Sequence, residues 1–166
     1  MLGWLRRLAA PIPFAIEHPA TAGEAADLFA KSFGAAPPDF PHHYLARHGG
    51  SGRVAGYIHY TEAFPGVYLC GGLCVDAHAY RRLAPRERDA LRRRGSLSRW
   101  LLDESIRRLP AKKAVFAYTG NTASRRDGFG VGFVETAHRH LIVQWHAAAE
   151  ADKARLVEQV AALGAF

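Results

Sequence analysis

The sequence has little cysteine, little lysine and no long hydrophobic run. Its two cysteines, Cys70 and Cys74, are too few for a disulfide framework. On one strand they would share a face but lie roughly 13 Å apart at ~3.3 Å per residue, beyond the reach of a bridge. A reducing, cytoplasmic setting is the simplest reading. No stretch approaches the ~20 apolar residues of a membrane span, so no membrane partner is expected. The opening MLGWLRRLAAP carries a short apolar patch and two arginines with no apolar run behind them. It is a poor signal peptide and reads as a loose or docked terminus. Internal repeats and low-complexity linkers are absent as well.

What is present is the composition of an ordinary globular chain. The 166 residues are 49% hydrophobic and 22% charged, which fits one domain spanning residues 1–166 with a core of its own. The net charge is +7, and only four of the 22 basic residues are lysine. Eight arginines fall between Arg81 and Arg99. Such a run either meets anions or is widely solvated; nucleic acid, membrane phosphate and a phosphorylated cofactor are the candidate partners.

The local patterns predict a mixed order of elements. Phe14 to His18 reads as a strand. Thr21 and Glu24 have capping-box spacing ahead of a helix with Ala25, Leu28, Phe29 and Phe33 on one face, ended by Gly34. Phe40 to His48 fits either a short helix or a strand. A strand follows from Val54, then a Pro65-Gly66 turn and a strand from Val67 to Val75. Gly71-Gly72 inside it marks a bulge or a close backbone approach. Pro85 to Arg94 predicts a short helix broken by Gly95. Ser96 or Ser98 caps the next helix, which Pro110 stops. Ala114 to Tyr118 is a buried strand, Asn121 or Thr122 opens a helix ending near Gly128, and a strand begins at Phe133-Val134. Leu141 to Trp145 is the last strand and Ala147 to Leu163 the last helix. The expected architecture is an α/β (α+β) sheet with helices on both faces.

The turn Arg92-Arg93-Arg94-Gly95-Ser96-Leu97-Ser98 has the chemistry of an anion site. Backbone N–H groups at a helix start, together with the helix dipole, favour an anion there. Gly95 lets backbone approach a phosphate without a Cβ in the way. Ser96 and Ser98 add hydroxyl donors, and the arginines add charge and planar forks. A helix–loop–helix connection with a solvated arginine face fits the same residues.

The wider pattern separates these readings. Val75-Asp76, Tyr80-Arg81-Arg82, Arg92-x-x-Gly95 and Leu101-Leu102 together resemble the central motif of the GNAT family of N-acetyltransferases. Asn121, Ser124 and Gly132-Phe133 are similar to the family's Asn-x-x-Ala and Gly-Phe block. The two blocks cover Leu69 to Phe133. The resemblance implies a mostly antiparallel sheet of about six or seven strands with a splayed central parallel pair. It also implies direct acyl transfer from acetyl-CoA, as co-substrate, to an amine, with no metal. Backbone near Leu73, Cys74 and Val75 would pair with the pantetheine arm. Arg92 to Ser98 would hold the pyrophosphate, and Asn121, with Ser124 beside it, would contact the pantetheine or nearby backbone. Pairing into a homodimer through the final strands is common in the family.

Three positions depart from the family pattern. The approach from Tyr80 to Gly95 is about ten residues longer than usual, and Leu83 to Leu91 is the inserted piece. Leu97 stands where a small residue is usual. Gly128 stands where a tyrosine often serves as general acid. Glu62, at the end of the strand opposite the proposed cleft, is the expected base, and Tyr118, at the end of the strand before Asn121, is the expected donor to the leaving thiolate. Phe40, Tyr44 and Tyr60 are expected to wall the acceptor pocket or fill the core. His42-His43, and His138 with His140, carry only a faint metal-ligand signal, with no third ligand evident. The rival readings are a nucleic-acid-binding regulatory module and a CoA-binding module on the same fold without catalysis. The arginines cluster beside one glycine turn rather than spreading over a face, which favours the acyltransferase.

Overall fold

The computed structural model describes residues 11–166, so the reading of the N-terminal segment falls outside the described residues. Seven strands form one sheet in the order β1-β2-β3-β4-β5-β7-β6. They are β1 (Phe14–Glu17), β2 (His42–His48), β3 (Val54–Phe64), β4 (Val67–Val75), β5 (Ala114–Tyr118), β6 (Val134–Glu135) and β7 (Leu141–Trp145). Every pair is antiparallel except β4 with β5. The helices are α1 (Ala26–Phe33), α2 (Ala79–Arg82), α3 (Pro85–Arg92), α4 (Leu97–Arg108), α5 (Thr122–Gly130) and α6 (Glu150–Ala161).

The helices cover both faces of the sheet. On one face α4 buries Leu97, Trp100, Leu101 and Ile106, at helical spacing, against Tyr44, Ile58, Tyr60 and Val115. Each such side chain contributes about 2 kcal/mol. Within this layer Ser105 and the Tyr60 hydroxyl hydrogen-bond at 2.7 Å. Tyr44 and Tyr60 are thus core, which settles the alternative left open for them. On the other face α1 packs Phe29 on Leu45, Tyr57 and Cys74, and α6 packs Leu156 and Val160 on Phe116 and Val143.

Several local expectations are corrected. The Thr21–Glu24 capping box does not form. A short 3-10 turn at Gly23–Ala25 precedes α1 and has no side-chain cap. Glu24 is drawn instead to Arg47 at 2.7 Å, which also grips Glu17. The ambiguous segment is strand β2, because His43 to Ala46 are buried between two antiparallel neighbours. The insertion is helix α3, with Pro85 in its first turn and the Glu87 carboxylate accepting the Ala84 N–H at 2.8 Å. The last helix is shorter than its alanine-rich pattern predicts.

Candidate functional site

β4 and β5 run side by side for only four residues each. Val67 to Cys70 pair with Ala114 to Ala117, and then the strands part. β4 continues from Gly71 to Val75, paired with β3 on one side and open on the other. The register shows why it turns away. Tyr57 pairs with Cys74 and His59 with Gly71, so β4 carries one extra residue at this point, a bulge. Gly72 lies there with φ +60, a backbone conformation that side chains disfavour. A Cβ on Gly72 would stand 2.4 Å from the His59 ring and 2.6 Å from Phe29.

The gap between the parted strands is a cleft of about 470 Å³. Cys70 to Val75 form one wall, and Ala117, Tyr118, Thr119, Asn121 and Ser124 form the other. Leu102, Gly128, Phe133 and Ile142 close it from the α4 side, and Ser32 and Phe33 of α1 reach it from the opposite face. Leu73, Cys74, Val75, Tyr118, Asn121 and Ser124 are thereby brought together. Asn121 caps α5, its side-chain oxygen accepting the N–H groups of Ala123 and Ser124 at 2.8 and 3.1 Å. Burial pushes the Cys70 thiol up to about 12, against a hydrogen bond with Tyr60. It pushes the Cys74 thiol to about 11, against one with Ser32.

Beside the start of α4 is a second hollow of about 520 Å³, lined by Arg92, Arg93, Arg94, Gly95, Arg99 and Arg107 with Trp100, Asp103, Gly130 and Val131. Gly95 has φ +96, and the Arg99 side chain lies across it, 2.7 Å from where a Cβ would be. Arg99 is anchored by donating to the Gly130 carbonyl. Ser96 caps α4 by accepting the Arg99 N–H at 2.9 Å. Both serine hydroxyls, Ser96 at 2.9 Å and Ser98, donate to the buried carboxylate of Asp127. Leu97 points into the core. Sequence reasoning missed Asp127: within Arg-Arg-Asp-Gly it looks solvated, and only the packing of α5 on α4 buries it.

Glu62 does not line the cleft. It lies near the β3–β4 hairpin, where its carboxylate accepts the Gly66 N–H at 2.6 Å, while the cleft opens at the other end of β4. His138 pairs with Glu158 at 2.9 Å. Among the described residues no group of three His, Cys, Asp or Glu side chains could hold a metal ion. None of their helices is long and apolar enough to cross a membrane.

A buried histidine pair went unread in the sequence. His59 and His43 are cross-strand neighbours. Burial, and secondarily His43, lowers His59 to about 4. Burial also lowers His43, against the nearby Asp39 carboxylate. An exposed imidazole titrates near ~6.5. Between about 4 and 6.5 the unfolded chain therefore binds a proton at position 59 that the native chain does not. Stability is fully present above pH 6.5 and falls as pH drops toward 4, by about 3 kcal/mol from His59. Urea titrations at pH 7 and pH 4.5 should show this loss, and His59→Gln should reduce it.

No family model matches the chain, and no curated protein matches it. Solved structures do. Ard1 from Thermoplasma volcanium superposes with a TM-score of 0.57 at 16% identity, over 84% of this chain and 100% of that one. An acetyltransferase of the GNAT family from Staphylococcus aureus gives 0.52 at 13% identity, over 79% and 99%. N-acetylglutamate synthase from Neisseria gonorrhoeae, complexed with coenzyme A and L-arginine, gives 0.54 at 15% identity, over 81% of this chain and 34% of that one. These identities speak to the fold alone. Seven strands, one splayed parallel pair and helices on both faces make this chain a member of the GNAT fold, similar to the GNAT acetyltransferases.

Proposed function

We propose that the chain is an N-acyltransferase, a single domain over residues 1–166, that moves the acetyl group of acetyl-CoA directly to an amine. The observation that carries this reading is the junction of two features. An open backbone edge, Gly71 to Val75, leads from the parted strands, and an arginine-lined hollow lies at the start of the adjoining helix. An extended amide-bearing arm adds to such an edge as a strand would. The backbone of Leu73, Cys74 and Val75 takes the pantetheine. The side-chain N–H₂ of Asn121 donates to it, since the oxygen is committed to capping α5, and Ser124 lines the same wall. Arg92, Arg93, Arg94 and the α4 first-turn amides hold the diphosphate. Gly95 shapes this loop, and Ser96 and Ser98 fix it through Asp127. Leu97 anchors the helix start in the core. The coenzyme A bound to the Neisseria enzyme supports this assignment.

The state of the thiols supports direct transfer. An acyl-enzyme needs a thiolate, yet burial keeps Cys70 and Cys74 protonated at neutral pH. Cys74→Ala should therefore keep kcat within about threefold of wild type, whereas a ping-pong mechanism through that thiol would lose it. Tyr118, whose side chain is partly exposed at the cleft, donates to the leaving thiolate, the role vacated by Gly128. Glu62 is engaged at the β3–β4 turn and is not part of the cleft lining. The free thiols fit a reducing compartment such as the cytoplasm, and a homodimer through β6 and β7 fits the family habit.

A second reading, CoA binding without turnover, is favoured by Gly128 alone. Release of CoA thiol from acetyl-CoA, followed with a chromogenic thiol reagent over a panel of primary amines, separates the two. Amine-dependent release supports transfer, and its absence alongside tight acetyl-CoA binding supports the second reading.

A further inference from the structure

The face of the sheet turned toward α1 carries a polar cluster that the acyl-CoA site does not use. His59 on β3 sits opposite Gly71 in the β4 register. Its ring takes the space of two missing side chains. A Cβ on Gly71 would stand 2.7 Å from Nε2, and one on Gly72 2.4 Å from Cε1. These two glycines line the cleft at the point where β4 leaves β5. Three aromatic rings surround the imidazole, with centroid distances of 5.1 Å to Phe40, 5.7 Å to Tyr57 and 6.0 Å to Phe29. His43 lies behind it, its Nδ1 hydrogen-bonded to the Tyr57 hydroxyl at 2.8 Å.

Two nitrogens of this cluster, His59 Nδ1 and His43 Nε2, are buried without a hydrogen-bond partner among the described residues. His59 is 6% exposed and His43 0%. An orphaned buried polar atom costs about 1–3 kcal/mol and calls for an explanation. A histidine kept only for packing would be replaced at less cost by an apolar ring. The glycine pair that makes room for this one includes Gly72 at φ +60, a conformation a side chain would strain. Of the charged groups on neighbouring elements, His43 is the one that acts on His59; Asp39, His18 and His42 act on His43. Among the described residues no carboxylate acts on the His59 ring, so burial leaves it neutral and a weak base, one that takes a proton only from a donor as acidic as a cationic tetrahedral adduct.

Resting on the acyltransferase reading, we propose that His59 is the catalytic proton acceptor. The acceptor is a primary amine on an aromatic or apolar body that reaches the cleft from the α1 side, past Ser32 and Phe33, with Phe40 beside the His59 ring. Aromatic rings suit such a body and attract its ammonium form. The ammonium first gives one proton to solvent; the neutral amine nitrogen then attacks the thioester carbonyl carbon, the C–N bond forms, and the carbonyl pair moves to oxygen. The adduct nitrogen, now cationic and far more acidic than a free ammonium, gives one proton to His59. The oxygen pair returns, the C–S bond breaks and CoA leaves as a thiolate. The thiolate takes a proton from Tyr118, which regains one from solvent, and His59 releases its own to solvent. The products are an amide and CoA thiol.

The test uses the full chain with acetyl-CoA and 2-phenylethylamine, CoA release as the rate, calorimetry for acetyl-CoA and thermal melting for integrity. His59→Gln should lower kcat about 100-fold while acetyl-CoA affinity stays within twofold. Phe40→Ala, at a half-buried position, should raise KM for the amine about tenfold with little change in kcat. The proposal is overturned if His59→Gln stays within threefold of wild type. It is also overturned if wild type binds acetyl-CoA but does not acylate 2-phenylethylamine. Should His59→Gln fail to fold, an unchanged KM in Phe40→Ala overturns it. Failure to bind acetyl-CoA at all sinks the acyltransferase reading and this inference with it.

Discussion

Gly72→Val should destabilise the protein by about 4 kcal/mol and lower its melting temperature by about 10 °C. Two effects add. Gly72 holds φ +60, which costs a β-branched residue about 1–3 kcal/mol. Its Cβ would also meet the His59 ring at 2.4 Å and the Phe29 ring at 2.6 Å, and both rings are packed from several sides. Neither can retreat without displacing Tyr57 or Phe40. The bulge should relax or the α1 face should open, and in either case the cleft loses its β4 wall. Gly34→Ala is the matched comparison: φ is +70 there as well, but nothing lies within 4 Å. It should cost only about 1 kcal/mol. Chemical denaturation of the two variants measures the difference directly, and equal losses would mean that ring crowding contributes nothing.

Gly95→Glu should weaken acetyl-CoA binding at least ~100-fold, or about 3 kcal/mol, while leaving the fold intact. Gly95 is exposed, and the atom its Cβ would meet first belongs to the long Arg99 side chain, which can swing aside. The carboxylate would then sit among Arg92, Arg93, Arg94 and Arg99, at the hollow proposed for the diphosphate. It would neutralise one arginine and repel the phosphates. The left-handed backbone adds a stability cost of about 1 kcal/mol, visible as a small change in melting temperature. Calorimetry with acetyl-CoA beside a melting curve separates the two effects.

Much of this was legible because it is local. Alternation places β3 and β4, Gly71-Gly72 marks a bulge or close approach, and Ser96 and Asn121 are each one of two candidate caps, the one the structure uses. What stayed hidden depends on contacts between distant segments. Glu24 has capping spacing with Thr21, but Arg47, twenty-three residues on, competes for it more strongly. Glu62 sits at a strand end as expected, yet which end of the sheet opens is decided by where β5 joins β4. Asp127 lies 29 residues from Ser98, and nothing in its neighbours marks it as buried. Tyr44 and Phe40 were grouped together, but alternation and the loop before β2 send them to opposite faces of the sheet. His43 reads in the sequence as half of a faint metal-ligand pair and His59 as an ordinary strand residue; only antiparallel pairing sets them side by side.

The central claim is that the parted strands and the arginine hollow form one site for an acyl-coenzyme A. Isothermal titration of the whole chain with acetyl-CoA, CoA and a short oligonucleotide tests it most directly. The wild-type chain should show one acetyl-CoA site of micromolar affinity and similar binding of CoA, both lost in Gly95→Glu. Heat from the oligonucleotide with none from acetyl-CoA or CoA would contradict it.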